Sequence, residues 1–379
     1  MSRIMILSSE FPPGPGGIGT HAYQLVLNLK QFGWEILVVT SQDYVSDEDI
    51  KRFNNAQPFE IIYLKTPEQK ILKIWKRMQV LSSEIERWRP DLLLVSGDNM
   101  IYLAAWVTGT KTPWVAMEHG RIPGRVERII KCWALAGANA VICVSQYTKS
   151  QMLNMGVKPK ITQVIPNGAD DVRFKILPED DIAKFRKKFG LEQARIILTV
   201  GHVSDRKGQD TVIRAMPAIL KKISNAHYCM IGLPTEKARF QKIAQKLCIE
   251  NHIHFLGAVD SETLLRGINA CDVFVMTSRH SSDGSFEGYG IAVIEAALCA
   301  KPAVVSNNSG LAEAITEGET GFGVPEYDPD KTAQAILKLL QDEGIRLRMG
   351  EVARYRALAE QTWSKRTEEY DRFLRTLLK

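Results

Sequence analysis

The sequence predicts an α/β protein with two Rossmann-like halves, and three observations lead to this prediction. The chain has 379 residues, which is too long for one ordinary core and indicates two domains. Short apolar runs rich in β-branched residues alternate with segments of helical spacing, as in βαβ units. Most runs are apolar throughout rather than alternating, as expected for parallel strands covered on both faces.

The apolar runs divide into two series. The first comprises RIMILSS, EILVVTS, EIIYLK, DLLLVSG, PWVAMEH and AVICVS. The rhythm then stops in IPNGADDVRFKILPEDD, where Pro, Gly and Asp predict a linker from Pro166. The second series comprises RIILTV, HYCMIG, IHFLGAV, DVFVMTS and PAVVSN. From Leu358 we predict one helical segment, with an apolar stripe at Trp363, Tyr370, Phe373, Leu374 and Leu377.

Composition narrows the class of protein. The chain is 45% hydrophobic and 24% charged, with a net charge of +6, which is typical of a globular domain. No apolar run reaches the ~20 residues that span a bilayer, and Met1 leads directly into a strand, so we expect a cytoplasmic protein. The six cysteines form no CxxC pair and are expected to be reduced and buried. The absence of a basic and aromatic platform argues against nucleic acid as a partner.

The stretch GPGGIG, residues 14–19, matches the GxGxxG pattern of dinucleotide-binding folds. Residues 10–13 separate it from the first strand, which removes the tight strand-to-helix turn of those folds. The second strand ends without an acidic residue for a ribose, although Asp43 follows closely. We therefore predict glycines that let the backbone approach an anion at a helix N-terminus. An NAD-dependent oxidoreductase and a loop without a ligand are the alternatives. The glycines concerned are Gly16, Gly17 and Gly19.

The stretch SFEGYGIAVIEAALCAKPAVV carries two glutamates eight residues apart, Glu287 and Glu295. GYG interrupts regular structure, and IAVIEAAL predicts a helix that starts near Gly290. Glu287 then precedes the helix and Glu295 lies just over one turn inside it. A helix start with glycines suits a phosphate, and a carboxylate beside it suits the hydroxyls of a sugar or ribose.

Two further stretches place functional groups at the ends of predicted strands. VGHVSDRKGQDTVI carries Arg206 and Lys207 in a short loop after a strand that ends at Val200. Two cations at this position can neutralise a diphosphate. MEHG places His119 at the end of a first-half strand, where it either lines a ligand cleft or has only a structural role.

Together these stretches resemble the retaining GT-B glycosyltransferases of family 4. The matching pieces follow the family's order and span nearly the whole chain: GGIGTH, EHG, VSQYTKS, PNGAD, VGHVSDRKG, SFEGYGIAVIEA and SGLAEAITEGETGFGV. The pair of glutamates within EGYGIAVIEA is the most specific of them. Two pieces depart from the family pattern, since His202 stands where Arg is frequent and SGLAE replaces GGxPE.

The resemblance implies a role for each candidate site residue. Lys207 with Arg206 resembles the basic element that binds the donor diphosphate. Glu287 resembles the glutamate beside the transferred sugar, and Glu295 resembles the one that holds the nucleotide ribose. His119 resembles the histidine that contacts the donor sugar, and it is placed with Glu287 in the catalytic set.

Backbone groups complete the donor site that the resemblance implies. The amides around Gly290 and Ile291 would meet the phosphates. The loop from Gly16 to Gly19 would lie beside the diphosphate and shape the acceptor entrance.

The resemblance also implies the architecture. Residues 1–168 would form an acceptor-side Rossmann-like domain, and residues 169–357 would form the nucleotide-sugar domain facing it across a cleft. Residues 358–379 would form a helix that crosses back to the first domain.

The implied reaction is retaining transfer of a sugar from a UDP- or GDP-sugar to a saccharide or lipid-linked acceptor, in polysaccharide or glycoconjugate biosynthesis. The reaction that the resemblance implies needs no cofactor and no metal. The acidic triplets are assigned elsewhere: DPD, residues 328–330, to a helix N-cap, and DED, residues 47–49, to a polar surface loop. A GT-B epimerase or phosphorylase and a non-enzymatic sugar-nucleotide sensor remain alternatives.

Two basic segments of the first half bear on the acceptor. KILKIWKRMQVL has an apolar face flanked by lysines, and fits both a helix at an anionic membrane interface and a helix packed on the sheet. Its apolar face comprises Ile71, Ile74, Trp75, Met78 and Leu81. The other cluster comprises Arg121, Arg125, Arg128 and Lys131, which would approach an acceptor phosphate or be solvated. A peripheral contact with the inner face of the membrane is therefore one of the expectations.

Overall fold

The computed structural model describes residues 1–14, 16–41, 45–64, 70–107 and 112–378, and for residues 70–74 and 106 it describes the backbone only. The chain forms two compact units. Unit 1 contains Met1–Asn167 and Trp363–Lys379, and unit 2 contains Gly168–Thr362. Among the described residues, no helix is both long and apolar enough to cross a membrane.

Unit 1 is built on a parallel sheet in which the described residues form seven strands, in the order β3-β2-β1-β4-β5-β6-β7. The strands are β1 (Arg3–Ser8), β2 (Glu35–Thr40), β3 (Glu60–Tyr63), β4 (Leu92–Ser96), β5 (Trp114–Glu118), β6 (Ala140–Cys143) and β7 (Thr162–Val164). The helices are α1 (Gly17–Gln31), α2 (Asp47–Asn55), α3 (Lys70–Trp88), α4 (Asp98–Val107), α5 (Arg125–Gly137), α6 (Gln146–Asn154) and, at the end of the chain, α15 (Trp363–Thr376).

Unit 2 is built on a second parallel sheet of six strands, in the order β10-β9-β8-β11-β12-β13. The strands are β8 (Arg195–Val200), β9 (Ala226–Ile231), β10 (Ile253–Gly257), β11 (Val273–Met276), β12 (Ala303–Ser306) and β13 (Gly321–Val324). The helices are α7 (Glu179–Phe189), α8 (Gln209–Leu220), α9 (Lys237–Lys246), α10 (Ser261–Ala270), α11 (Ile291–Leu298), α12 (Leu311–Ala314), α13 (Pro329–Gln341) and α14 (Glu343–Glu360). Asp205–Lys207 and Glu250–His252 form short 3-10 helices.

Both faces of the first sheet are covered, as the apolar strands predict. On β1, Ile4 and Ile6 pack with α1 and α15, whereas Met5 and Leu7 pack with the helices on the opposite face. All four side chains are almost completely buried. This alternation explains why the strand is apolar at every position.

Each sheet has a point where the chain order reverses. In unit 1 the reversal lies between β1 and β4, and in unit 2 it lies between β8 and β11. Loops that leave the carboxyl ends of such neighbouring strands diverge and form a crevice, which is where ligands bind in open α/β sheets. The loops after β8 and β11 are the ones that carry the predicted cations and Glu287.

The end of the chain differs from the prediction of one helix from Leu358. Helix α14 continues to Glu360, and α15 begins only at Trp363. The break has local causes, because the Gln361 side-chain amide donates to the Tyr289 hydroxyl at 3.2 Å and Thr362 bridges to Ala169. Helix α15 packs on α1 in unit 1, as the predicted apolar stripe requires.

The two acidic triplets lie at helix starts. Asp328 caps α13 by accepting a hydrogen bond from the Lys331 amide at 2.8 Å, which confirms the predicted N-cap. DED does not lie in a loop, because Asp47–Asp49 form the first turn of α2 behind the Ser46 cap. Three carboxylates suit the positive end of a helix dipole, which explains the difference.

Candidate functional site

Two of the three candidate glycines in the first loop, Gly16 and Gly19, lie against the residues that follow β1. Helix α1 begins at Gly17, and Gly16 precedes it with φ +152°, a conformation that favours glycine. A Cβ atom on Gly16 would lie 2.0 Å from the Glu10 carboxylate, and one on Gly19 would lie 3.1 Å from the Phe11 amide nitrogen. For Gly17, none of the atoms that the structure describes beyond its chain neighbours and its own helix backbone lies within 4 Å of such a Cβ.

The carboxylate of Glu10 lies where the prediction expected an external anion. Burial raises the pKa of Glu10, and a hydrogen bond from the Gly19 backbone N–H partly opposes this increase. The helix N-terminus therefore already has an internal acceptor. Gly16 and Gly19 have a packing role in this loop, whereas the described atoms leave space beside Gly17. Asp43, considered above as a ribose acceptor, lies outside the described residues.

His119 follows β5 and contacts the neighbouring strand. Its Nε2 atom lies 2.8 Å from the Ser96 hydroxyl at the end of β4. Its ring meets the ring of His21 edge-on at 5.1 Å between centroids. Burial lowers the pKa of His119 to about 4, so the ring is neutral near pH 7. A neutral imidazole offers one donor and one acceptor, which suits hydroxyl groups better than phosphates.

His21 was not singled out in the sequence, although it lies within the GGIGTH piece. It is fully buried in α1, and its Nε2 atom lies 3.3 Å from the Tyr370 hydroxyl of α15. The Trp363 ring lies 5.1 Å from it. The position of His119 therefore depends on α15 through His21.

The cluster of four basic residues after His119 divides into two pairs. Lys131 is completely buried and forms ion pairs with Glu118 at 2.9 Å and Asp98 at 3.1 Å. Arg121 binds Glu127 through two bonds of 2.7 and 2.9 Å. The expectation that the cluster faces an acceptor or solvent is wrong for Lys131, because it is buried against two carboxylates. Arg121 is half-buried and paired with Glu127, whose side chain is also partly exposed. Arg125 and Arg128, the other pair, are exposed.

In unit 2 the predicted residues of two loops converge. Lys207 Nζ lies 2.6 Å and an Arg206 guanidinium nitrogen lies 3.0 Å from the same oxygen of Glu287. The Ser278 hydroxyl, at 3.4 Å, also contacts this oxygen. Burial works to raise the pKa of Glu287, but the charges of Lys207 and then Arg206 outweigh it and lower the pKa to about 2. The cluster carries two positive charges and one negative charge.

A buried arginine supports this cluster. Arg279 is 3% exposed and forms ion pairs with Asp205 at 2.6 Å and Asp210 at 3.0 Å. Its backbone N–H donates to the Arg206 carbonyl at 2.8 Å. Gly208 also fits closely, since a Cβ there would lie 1.9 Å from the Thr277 carbonyl oxygen. The loop after β11 thus holds the segment that carries Arg206 and Lys207 from both sides.

Helix α11 begins beside the same cluster. Gly290 caps it with φ +89°, and a Cβ there would lie 2.3 Å from a Leu311 methyl carbon. Ile291 is the first helical residue, as predicted, and Glu287 precedes the helix. The Gly310 amide donates to the Glu287 carbonyl at 3.0 Å and so ties the loop to the start of α12.

Glu295 lies one turn into α11 and is half-buried. Burial raises the pKa of Glu295 to about 7, with Arg173 opposing the increase and Asp170 adding to it. The residues that the structure describes form no hydrogen bond or ion pair with its carboxylate. This acceptor therefore has capacity for an external hydroxyl.

No group of three or more His, Cys, Asp or Glu side chains in the described ranges is arranged to hold a metal ion. The metal-free reaction stays a prediction. The cysteines are all free thiols, and four are buried, whereas Cys132 is half-buried and Cys248 is exposed.

Comparisons with known families match both halves of the chain. The model described as Glycosyltransferase Family 4 matches residues 15–173. The model described as Glycosyl transferases group 1 matches residues 181–356. The two matched segments together contain all the candidate site residues named above.

Relatives match along the full length. A GDP-mannose-dependent alpha-(1-6)-phosphatidylinositol monomannoside mannosyltransferase of Mycobacterium tuberculosis is 25% identical, over 99% of this chain and 98% of that protein. Among solved structures, sucrose-phosphate synthase of Thermosynechococcus elongatus has a TM-score of 0.82 at 20% identity, covering 100% of this chain and 99% of that chain.

A further solved structure contains a sugar nucleotide. HepE of Anabaena, in complex with UDP-glucose, has a TM-score of 0.82 at 20% identity, covering 99% of this chain and 100% of that chain. At this identity the likeness establishes the fold, with its two Rossmann-like domains. The family matches agree with the clustered Arg206, Lys207 and Glu287, and they leave the alternative of an NAD-dependent oxidoreductase without support. The chain belongs to family 4 of the GT-B glycosyltransferases.

Proposed function

We propose that this glycosyltransferase moves a sugar, with retention at the anomeric carbon, from a nucleotide-diphosphate sugar to a saccharide or lipid-linked acceptor. The observation that carries the proposal is the contact of Arg206 and Lys207 with Glu287 at the carboxyl ends of β8 and β11. The cluster combines the cations that a diphosphate leaving group needs with a carboxylate that binds sugar hydroxyls.

The leaving diphosphate is the group that these cations are expected to stabilise most. Negative charge builds up on it as the glycosidic bond breaks, and Lys207 and Arg206 stabilise that charge more than they stabilise the ground state. The backbone amides at Gly290 and Ile291 add the positive end of α11. Both cations are bound to Glu287 in the structure, so we expect the donor phosphates to share them with this carboxylate.

Three side chains are expected to orient the donor. Glu295 would accept hydrogen bonds from the ribose hydroxyls, which its lack of a partner among the described residues supports. Glu287 would contact hydroxyls of the transferred sugar. His119, neutral near pH 7, would contact the same sugar from unit 1, and the open space beside Gly17 would admit the diphosphate.

Names of relatives indicate which donors to test first. The full-length relative is named as a GDP-mannose-dependent mannosyltransferase that acts on a phosphatidylinositol mannoside, which supports GDP-mannose and a glycolipid acceptor. The neighbour with bound UDP-glucose supports UDP-sugars as well. We propose a role in polysaccharide or glycoconjugate biosynthesis, at the cytoplasmic side of a membrane.

Calorimetry with GDP-mannose, UDP-glucose and NAD tests the donor site. We expect one sugar nucleotide to bind and NAD not to bind. Lys207→Ala and Glu295→Ala should each weaken donor binding about tenfold or more, because a hydrogen bond to a charged group is lost. Lys222→Ala, at an exposed lysine of the same unit, is the control. Unchanged donor affinity in both site variants would refute these roles.

Product analysis tests the reaction. We expect the anomeric proton of the product to show the donor's configuration, and full activity in EDTA. Interconversion of the donor sugar without an acceptor would indicate an epimerase, and the absorbance of bound pyridoxal phosphate would indicate a phosphorylase. Donor binding with neither transfer nor slow hydrolysis would indicate a sensor. Activity lost in EDTA and restored by a divalent ion would contradict the metal-free reaction.

A further inference from the structure

Helix α5 exposes a continuous apolar stripe. The exposed fractions are 76% for Val126, 72% for Ile129, 42% for Ile130 and 54% for Trp133. These positions have the spacing i, i+3, i+4 and i+7, which places them on one face of the helix. Large apolar side chains are scattered singly on most protein surfaces, and a contiguous set indicates a binding surface.

The stripe is additional to the face that holds α5 in the fold. Ala134 and Leu135 are completely buried against the sheet, and Lys131 is buried between Glu118 and Asp98. The helix is therefore already anchored without the stripe. Packing among the described residues of the unit gives no reason for Val126 and Ile129, the two most exposed residues of the stripe, to be apolar.

The charges beside the stripe have one sign. Arg125 and Arg128 are exposed on the same helix, all of which the structure describes. The Arg128 guanidinium also donates to the Met155 carbonyl at 2.9 Å and the Asn154 carbonyl at 3.4 Å. The acid of α5, Glu127, is neutralised by its two bonds to Arg121. A partner surface with negative charge therefore meets cations and no unpaired acid along this helix.

Helix α3 adds an aromatic residue on the same side of the sheet. Both α3 and α5 pack against α4, and their buried residues share one core. Trp75 of α3 is 57% exposed and Lys76 beside it is exposed, whereas Leu81 is completely buried and Met78 packs on the core. The C-terminal part of the predicted apolar face of α3, Met78 and Leu81, therefore packs in the core of the unit. The side chains of Ile71 and Ile74 lie outside the described residues.

We propose that the α5 stripe docks this enzyme on an anionic bilayer, with the four apolar side chains in the headgroup region and Arg125 against lipid phosphates. Tryptophan and aliphatic residues beside arginine are the composition of interfacial helices. The proposal deepens the membrane contact of the proposed function by assigning it to α5. It does not depend on the donor site in unit 2.

Vesicle co-sedimentation tests the proposal on the full chain. The vesicles contain phosphatidylcholine alone or phosphatidylcholine mixed with phosphatidylglycerol. We expect binding to the mixed vesicles, weakened about tenfold or more in V126S/I129S because two apolar side chains no longer leave water. Arg125→Ala should weaken binding a few-fold in low salt and have little effect in high salt. The control V172S/I176S removes two exposed apolar side chains of unit 2 and should bind normally.

Two further measurements keep the outcomes separate. Thermal unfolding and donor calorimetry establish that V126S/I129S is folded and that unit 2 is intact. Light scattering reports association of copies of the chain. Failure of the wild type to bind anionic vesicles, or equal binding by V126S/I129S, would overturn the proposal. A wild-type dimer that V126S/I129S converts to monomers would also overturn it, because the stripe would then join two copies. Vesicle binding by a chain that binds no donor would refute the proposed function alone.

Discussion

Glu287 is held by opposite charges that the donor is expected to use as well. Two cations and a hydroxyl contact one of its oxygens, and its pKa is lowered to about 2, so it is ionised throughout the neutral range. The arrangement keeps Lys207 and Arg206 oriented before any phosphate arrives. Such preorganisation reduces the cost of fixing flexible side chains during the reaction.

Arg279 is expected to act as a positioning residue for these cations. Arg279→Ala leaves Asp205 and Asp210 without their buried partner, so the segment that carries Arg206 and Lys207 should become less ordered. We expect donor affinity to fall by about tenfold, which corresponds to ~1.4 kcal/mol, with partial recovery in Arg279→Lys. Calorimetry with the donor identified above measures the effect.

A double-mutant cycle separates positioning from a loss of stability. If Arg279 acts through Lys207, then Arg279→Ala added to Lys207→Ala should weaken donor binding much less than it does alone. Equal losses in both backgrounds would show that Arg279 acts independently of Lys207. Melting temperatures of all variants provide the control for folding.

Charged residues at strand ends could be predicted from the sequence, but buried charges could not. Arg206, Lys207 and Glu287 stand in glycine-rich loops that follow apolar runs, and this position together with the family resemblance predicted a shared site. The burial of Arg279 and Lys131 depends on carboxylates distant in sequence, such as Asp98 for Lys131. A single sequence does not show such pairs, because a basic residue beside an apolar run also fits a solvated surface.

Strands could be predicted where both of their faces are buried. All eleven predicted apolar runs form strands, whereas β7 and β13 were missed. Both are short strands at the edges of their sheets, and β7 has no fully buried residue. Gly321 shows why β13 lacks an apolar signal, because a Cβ there would lie 2.2 Å from the Ala303 carbonyl oxygen. Close packing of the backbone thus requires a glycine where the pattern would need a β-branched residue.

The glycine loop before α1 gives a prediction for two neighbouring positions. Gly16→Ala should destabilise unit 1, because Gly16 has φ +152° and a methyl group would overlap the Glu10 carboxylate. Gly17→Ala should keep or raise stability by up to about 1 kcal/mol, since its surroundings are open and alanine favours a helix. It should lower transfer activity if the donor approaches there. Urea unfolding and the transfer assay measure the two effects.

The two variants serve as controls for each other. They change adjacent residues by the same methyl group, so a difference between them reflects geometry rather than composition. Equal destabilisation would contradict the packing role of Gly16, and full activity of a stable Gly17→Ala variant would remove this loop from the donor site.

The whole molecule consists of two units that have separate cores and different contributions to the proposed reaction. Unit 1 holds His119 and the α5 stripe, and unit 2 holds the cations, Glu287 and Glu295. Each sheet brings its site residues to the carboxyl ends of its strands. The effect of a variant on the stability of its own unit can therefore be measured. The pH dependence of that stability reports on the titrating side chains of the unit.

Unit 2 contains a cluster of histidines outside the candidate site. His227 Nδ1 lies 2.8 Å from His254 Nε2, and the His252 ring lies 4.8 Å from that of His227. Burial, followed by the charges of His254 and His252, lowers the pKa of His227 to about 4. As the pH falls below 6.5, the unfolded chain takes up this proton before the folded unit does. His227 therefore lowers the free energy of unfolding between pH 6.5 and about 4.

Glu295 changes the free energy of unfolding with pH in the opposite direction to His227. Its pKa is raised from 4.5 to about 7 in the folded unit, so folding becomes less favourable as the pH rises through this range. The stability of Glu295→Gln relative to the wild type should therefore be greatest above pH 7 and decline as the pH falls to 4.5. His227→Asn should show the reverse trend, and gain relative to the wild type as the pH falls from 6.5. Urea unfolding of the three proteins across this range, followed by a signal of unit 2, measures both slopes. Slopes of the same sign would show that at least one of the two pKa values is not shifted in the direction given above, and a slope of zero would show an ordinary pKa for that group.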